Sequence, residues 1–437
     1  MPRLPGLSAR RSVHPSPHQP LHHSLLSMPA SEIQTAWAQR LQRELAHNVL
    51  PWWQASIFDA DGRVLGGRAN DGAVLDAPRT AVLGTRLLWT FTTAQRRLGR
   101  NPTLDLAAER ALAWVRGTLT DPVHGGVFWS VNADGQPVAD HKQTYAQAFA
   151  IYALMAQHAA DCAAQGLPLA AVTPAAQDAL RLFDLLDTHA RDGLAGGYME
   201  ACTRDWQPLP DATLSADEPP AARSMNTLLH VLEAFTELLR CHRQPVVATR
   251  LRELIEIFLD RLWLPGQRCF GLFFSIDWQP MTTQVSWGHD IEAAWLLRRA
   301  CEVLADDGLS RRVDALVPQV ADAVLQGGVA EDGSVLGAGL FDGRVTDARR
   351  HWWCQAEAMV GFWDAWQLTG DPRFQRAAWR VWRHIDKHHV DPLGGDWLKT
   401  LDEQLHPVDS IPRAGPWECP YHHVRACVEM MERLAHA

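Results

Sequence analysis

The chain contains no CxxC pair, no HExxH stretch and no apolar run of the roughly 18 residues that crossing a bilayer requires. The first absence argues against a zinc ribbon or a dithiol redox site, and the second against a helix-borne zinc protease centre. The third argues against a membrane-spanning helix. A basic stripe is also missing: 41 Lys and Arg stand against 50 Asp and Glu, a formal net charge of −9. Nucleic acid is therefore not the expected partner. Tyrosine is scarce, 4 residues against 19 tryptophans. Tryptophan is a core residue by default, yet in excess it also suits sugars, whose C–H faces pack on flat rings. The eight cysteines are scattered over positions 162 to 427. They read as reduced thiols in a reducing, cytoplasmic compartment.

Residues 1–27, "MPRLPGLSARRSVHPSPHQPLHHSLLS", have neither helical period nor the apolar stretch of a secretion signal. They are expected to form a disordered tail. Met28 is a candidate start, because a capped amphipathic helix begins directly after it.

From there apolar residues recur at helical spacing in about a dozen segments, near 31–49, 78–99, 103–119, 142–162, 173–190, 222–242, 246–263, 287–304, 309–326, 350–369, 372–388 and 419–435. Between alternate helices lie short glycine-bearing stretches, among them "VLGGRANDG", "HGGVFWSVNADGQP", "GGYMEACTRDWQP" and "GGDWLKTLDEQLHP". Gly, Asn and Asp supply the positive φ of a tight hairpin turn. Six helix pairs separated by six hairpin loops predict an all-α (α/α)6 barrel, one catalytic domain over 28–437 with short β-hairpins at the pocket rim. The alternative is an open helical-repeat array; loops carrying tryptophans and charges favour the closed form.

Polar groups then fall on single helix faces. Asn226, His230 and Glu233 are spaced i, i+4, i+7; His289 and Glu292 i, i+3; Trp353 and Glu357 i, i+4. Arg86 sits among leucines, Tyr145 near a helix start, and Trp417 and His422 around the loop-to-helix junction "PWECPYHH". Each alone reads as a satisfied core or solvated residue, and His351, His388 and His389 are taken as surface. Several inner helices each sending a polar group to one centre read as a wet pocket. The His and Glu content raises zinc as an alternative, and the paired carboxylates raise a glycoside hydrolase. The spacing of each carboxylate beside a histidine favours proton transfer by imidazole.

The segments "TRLLWTF", "KQTYAQAFAIYAL", "SMNTLLHVLEAFTELL", "SWGHDIEAAWLL", "HWWCQAEAMVGF" and "WECPYHHVRACVE" resemble, in order from about residue 31 to the end, the N-acylglucosamine 2-epimerase superfamily, in particular its cellobiose 2-epimerase branch. Two positions depart from that pattern: His423 where Asn is expected, and Cys354 where Pro is usual. The resemblance implies a 2-epimerase that uses no cofactor and no metal and acts on the reducing end of a mono- or disaccharide through a cis-enediolate. It implies His422 and His289 as the bases on opposite faces of C2, with Glu357 and Glu292 as their respective partners. Arg86 and His230 would hold O1 and O2, Asn226 and Tyr145 would bind hydroxyls, and Trp353 and Trp417 would stack on the sugar. An aldose–ketose isomerase of mannose type is the nearest alternative. A monomer or weak homodimer is the expected assembly.

Overall fold

The computed structural model describes residues 30–209, 212–215 and 218–436. The expected tail over 1–27 and the candidate start at Met28 lie outside them. In chain order the helices are α1 (Ala30–Glu44), α2 (Leu50–Ser56), α3 (Ala81–Leu98), α4 (Pro102–Trp114), α5 (Thr144–Gln165) and α6 (Pro174–His189). There follow α7 (Met225–Cys241), α8 (Pro245–Ile257), α9 (Trp287–Leu304), α10 (Asp307–Gly327), α11 (Trp352–Thr369), α12 (Pro372–His384) and α13 (Tyr421–Ala435). No described helix is long and apolar enough to cross a membrane.

The odd-numbered helices from α3 to α13 pack each on the next, and α13 packs back on α3, which closes an inner ring. Around it α1, α4, α6, α8, α10 and α12 each pack on an inner helix, giving the expected (α/α)6 barrel. The two layers start differently. Outer helices α4, α6, α8 and α12 open on Pro102, Pro174, Pro245 and Pro372, where the missing N–H costs nothing. Three of the outer segments end in a wide π turn, at 115–119, 258–262 and 385–389, and a fourth such turn at 45–49 joins α1 to α2.

Five of the inner helices are instead entered from a two-residue strand. Arg79–Thr80 pairs with Ser130–Val131, Lys142–Gln143 with Ala201–Cys202, and Arg223–Ser224 with Phe273–Phe274. Gln284–Val285 pairs with residues 339–340, Arg350–His351 with Thr400–Leu401, and a bridge from Arg68 to Ala414 completes the circuit. All are antiparallel, and each joins one rim loop to the next. The hairpins expected from glycine are present; this loop-to-loop belt was not legible in the sequence. Three of the loops repeat one device. Asp121, Asp192 and Asp391 each accept backbone N–H groups of their own turn and hold a cation from further along the chain: Lys142, Arg223 and Arg413 respectively. The belt fixes the N-terminal ends of the inner helices, so residues on their first turns face one central space.

Close approach of α9 and α11 requires a glycine: a Cβ on Gly361 would lie 2.8 Å from the Ile291 carbonyl oxygen. All eight cysteines are buried and unpaired.

Candidate active site

The inner-helix N-termini enclose a cavity of about 400 Å³ whose lining includes Arg86, Tyr145, Asn226, His230, His289, Glu292, Trp353, Trp417 and His422. Nine of the ten side chains expected from sequence thus meet in one space. The tenth, Glu357, lies directly beneath it: His422 Nδ1 is 2.7 Å from Glu357 Oε1.

Under the cavity floor sits a residue that sequence reading missed. Arg425, one turn beyond His422, is buried and pairs with Glu233, with Glu292, and with Glu357 at 2.8 Å. Tyr421 donates to Glu233 at 2.6 Å, and His230 Nδ1 donates to the other oxygen of Glu233 at 3.0 Å. Trp295 Nε1 donates to Glu357 at 3.2 Å. The i, i+3 spacing of His422 and Arg425 was the available signal. Buried carboxylates need a counter-charge, and this guanidinium supplies it. Glu292, Glu357 and His422 bring ligand atoms within 4.8 Å of one another, yet the guanidinium already occupies the carboxylates' shared side, so the trio is built around a fixed organic cation.

One expected partnership is corrected. His289 Nδ1 is 2.8 Å from Ser286 Oγ, and its hydrogen bond goes there rather than to Glu292. The carboxylate of Glu292 turns inward to Arg425, because the guanidinium offers a full charge. Glu292 touches His289 only through its field, which draws the imidazole's proton affinity upward against burial. The surface assignments are corrected as well. His351 lines the cavity, bonded to Asp347 at 2.9 Å and Thr400 at 3.2 Å. His389 is buried, with Nδ1 2.7 Å from the Leu398 carbonyl oxygen. His388 is half-buried, its neighbour His384 stacking on it.

Burial and the nearby Arg86 and Arg425 charges hold the His422 imidazole well below its ordinary range. Burial, with the nearby His230, lowers His289 to about 4 against the upward pull of Glu292. Glu357 goes the other way: burial and the neighbouring Glu292 charge outweigh Arg425 and push it up to about 8. The raised carboxyl and the lowered imidazole thus face each other across a 2.7 Å bond, while His289 has Nδ1 engaged by Ser286. Arg86 donates to Tyr145 Oη at 2.7 Å and to Cys419 Sγ at 3.4 Å. The Trp353 ring spans both bases, 4.6 Å from the His289 ring and 5.8 Å from the His422 ring. Gly288 makes room for it, since a Cβ there would meet Trp353 Cζ3 at 2.6 Å.

A helical barrel with two imidazoles, an arginine and tryptophans around one cavity has the make-up of an enzyme site that takes a sugar. The model of the N-acylglucosamine 2-epimerase family matches residues 67–426. The cellobiose 2-epimerase of Bacteroides fragilis is 35% identical over 397 residues, covering 90% of this chain and 98% of that one. The solved cellobiose 2-epimerase of Bacillus thermoamylovorans superposes with a TM-score of 0.84 at 31% identity, over 91% of this chain and 100% of that one. The D-mannose isomerase of Thermobifida fusca is 27% identical over 348 residues, 75% of this chain and 78% of that one. The chain belongs to the N-acylglucosamine 2-epimerase family, and it is an epimerase acting on a sugar.

Proposed function

We propose that the protein inverts C2 of the reducing-end aldose of a cellobiose-type disaccharide, without a cofactor, by proton transfer between His422 and His289. Residues 28–437 would form one catalytic domain, working in the cytoplasm as a monomer or weak homodimer. The observation that carries the reading is the inventory of the cavity: His422 Nδ1 bonded to the Glu357 carboxyl at 2.7 Å, His289 Nδ1 bonded to Ser286 at 2.8 Å, and the Trp353 ring beside both imidazoles.

The chemistry follows from that inventory. The sugar opens to its aldehyde form. His289 Nε2 removes the C2 proton from one face, and the C2–H electron pair moves into the C1 carbonyl to give the cis-enediolate. Arg86 and His230, which line the cavity, would meet the developing charge on O1 and O2; one such donor contributes about 3–4 kcal/mol. The His422–Glu357 pair then delivers its proton to C2 from the other face. In the reverse direction the imidazoles exchange roles. Asn226, whose buried Oδ1 has no hydrogen-bond partner among the described residues, would offer an acceptor to a hydroxyl. Tyr145 supports Arg86, and Trp353 and Trp417 supply flat faces for the sugar rings.

The D-mannose isomerase relative favours a second reading, in which one base moves the proton from C2 to C1. Incubation with cellobiose, glucose and mannose in deuterium oxide separates the two. The expected product is the C2 epimer carrying deuterium at C2. A ketose would favour the isomerase, and release of a free monosaccharide from cellobiose would make the protein a hydrolase.

A further inference from the structure

Behind the cavity wall lies a chain of buried charge that the reaction above does not use. His423 Nε2 donates to Asp396 Oδ1 at 2.8 Å, and Lys399 Nζ donates to Asp396 Oδ2 at 2.6 Å. None of the three is more than 2% exposed. His423 follows His422 on α13, so its side chain leaves the helix about 100° further round and enters the wall. There its ring stacks on Trp397, centroids 5.1 Å apart, and Trp397 Nε1 donates to Glu44 at 3.1 Å.

The other end of the chain reaches the cavity. The Lys399 ammonium lies 5.4 Å from the centroid of the Trp352 ring, and the Lys399 carbonyl accepts the Trp352 N–H at 2.9 Å. Trp352 lines the cavity and meets the His422 ring edge-on at 6.3 Å. The next residue, Thr400, also lines the cavity and binds His351. A buried ion pair is a poor device for stability, since well-packed apolar groups serve as well or better. What it supplies is direction, because charged hydrogen bonds fix geometry on both partners.

We propose that Asp396, Lys399 and His423 are positioning residues that fix Trp352 and the first turn of α13, and through them the aim of the His422 ring; this rests on the epimerase reading above. The full chain is tested as His423→Leu, His423→Asn, His423→Gln and Lys399→Met, with C2 inversion of the preferred aldose and thermal unfolding as readouts. The Gln amide nitrogen reaches about where the imidazole Nε2 lies and can donate to Asp396; leucine cannot. His423→Leu and Lys399→Met are expected to lower kcat by about 10- to 100-fold, while KM stays within about twofold. His423→Gln is expected to recover most of the loss. The proposal is overturned if Leu and Met variants keep wild-type kcat, or if Gln loses as much as Leu. Should the Leu and Met variants fail to fold, Asn and Gln decide: at equal Tm, Asn must be the slower, since its amide falls one methylene short of the imidazole Nε2 that bonds Asp396. Equal kcat then overturns the proposal. Wild-type protein that inverts no aldose overturns the epimerase reading and this proposal together, whereas active wild type with unaffected variants overturns this proposal alone.

Discussion

His289 and His422 are the same side chain in two electrostatic settings. One carries a serine on Nδ1, the other a carboxyl group whose own proton affinity burial has raised. The difference makes a pH profile a direct test. Inversion needs a single proton shared between the two bases, a state present between about 4, where His289 takes up a second, and about 8, where the Glu357 pair gives up its own. A bell-shaped kcat/KM with limbs near those values is expected. Glu357→Gln should remove the alkaline limb. Replacing His422 or His289 by alanine should each cost about 10²- to 10⁴-fold in kcat and leave the circular dichroism unchanged. An alanine variant at either position that retains wild-type turnover would defeat the two-base scheme.

At the scale of the element, the inner helices do two jobs with different faces. α9 offers His289 and Glu292 to the cavity and Ile291 to Gly361 of α11. Gly361→Ala places a methyl against the Ile291 carbonyl oxygen, so α9 and α11 must separate. Overpacking of this kind costs about 1–3 kcal/mol, and His289 and Trp353 ride on those same two helices. Thermal unfolding should show the loss in Tm, and kcat should fall with it. A variant of unchanged Tm would mean the helix pair relaxes freely. The strand belt explains why the site sits at the N-terminal ends: backbone hydrogen bonds between loops cross-link those ends.

For the whole molecule, the buried cluster around Arg425 ties α7, α9, α11 and α13 through Glu233, Glu292, Glu357 and Tyr421. Arg425→Met leaves these carboxylates without their counter-charge, and a loss of about 3–5 kcal/mol is expected, measured by denaturant unfolding. Stability should also depend on pH from both sides. Glu233 is held down to about 2 against an ordinary 4.5, so its contribution is complete above 4.5 and lost as pH falls toward 2. His289, lowered to about 4 from 6.5, adds a loss that begins below 6.5. Glu357, raised to about 8 from 4.5, favours the fold when protonated, and that advantage fades as pH rises toward 8. Glu357→Gln should therefore gain on wild type in Tm between pH 7 and 9, and no gain there would contradict the raised carboxyl.

What the sequence determined by itself was periodicity and local spacing. Twelve apolar stripes, the prolines that open outer helices and the glycine turns between them are properties of short windows, and local geometry follows from them. The same holds for Asn226 with His230 and for Trp353 with Glu357, one turn apart on single helices. Partnerships were decided by the tertiary structure alone. Glu292 is three residues from His289 yet bonds Arg425, 133 positions away, because a buried carboxylate goes to the nearest full charge and only ring closure brings α13 against α9. His351 and His389 look like surface residues in a polar window; strand pairing and the π turn put them inside. A histidine's proton affinity is likewise set by how much water and which charges surround it, and those are fixed only when the barrel closes.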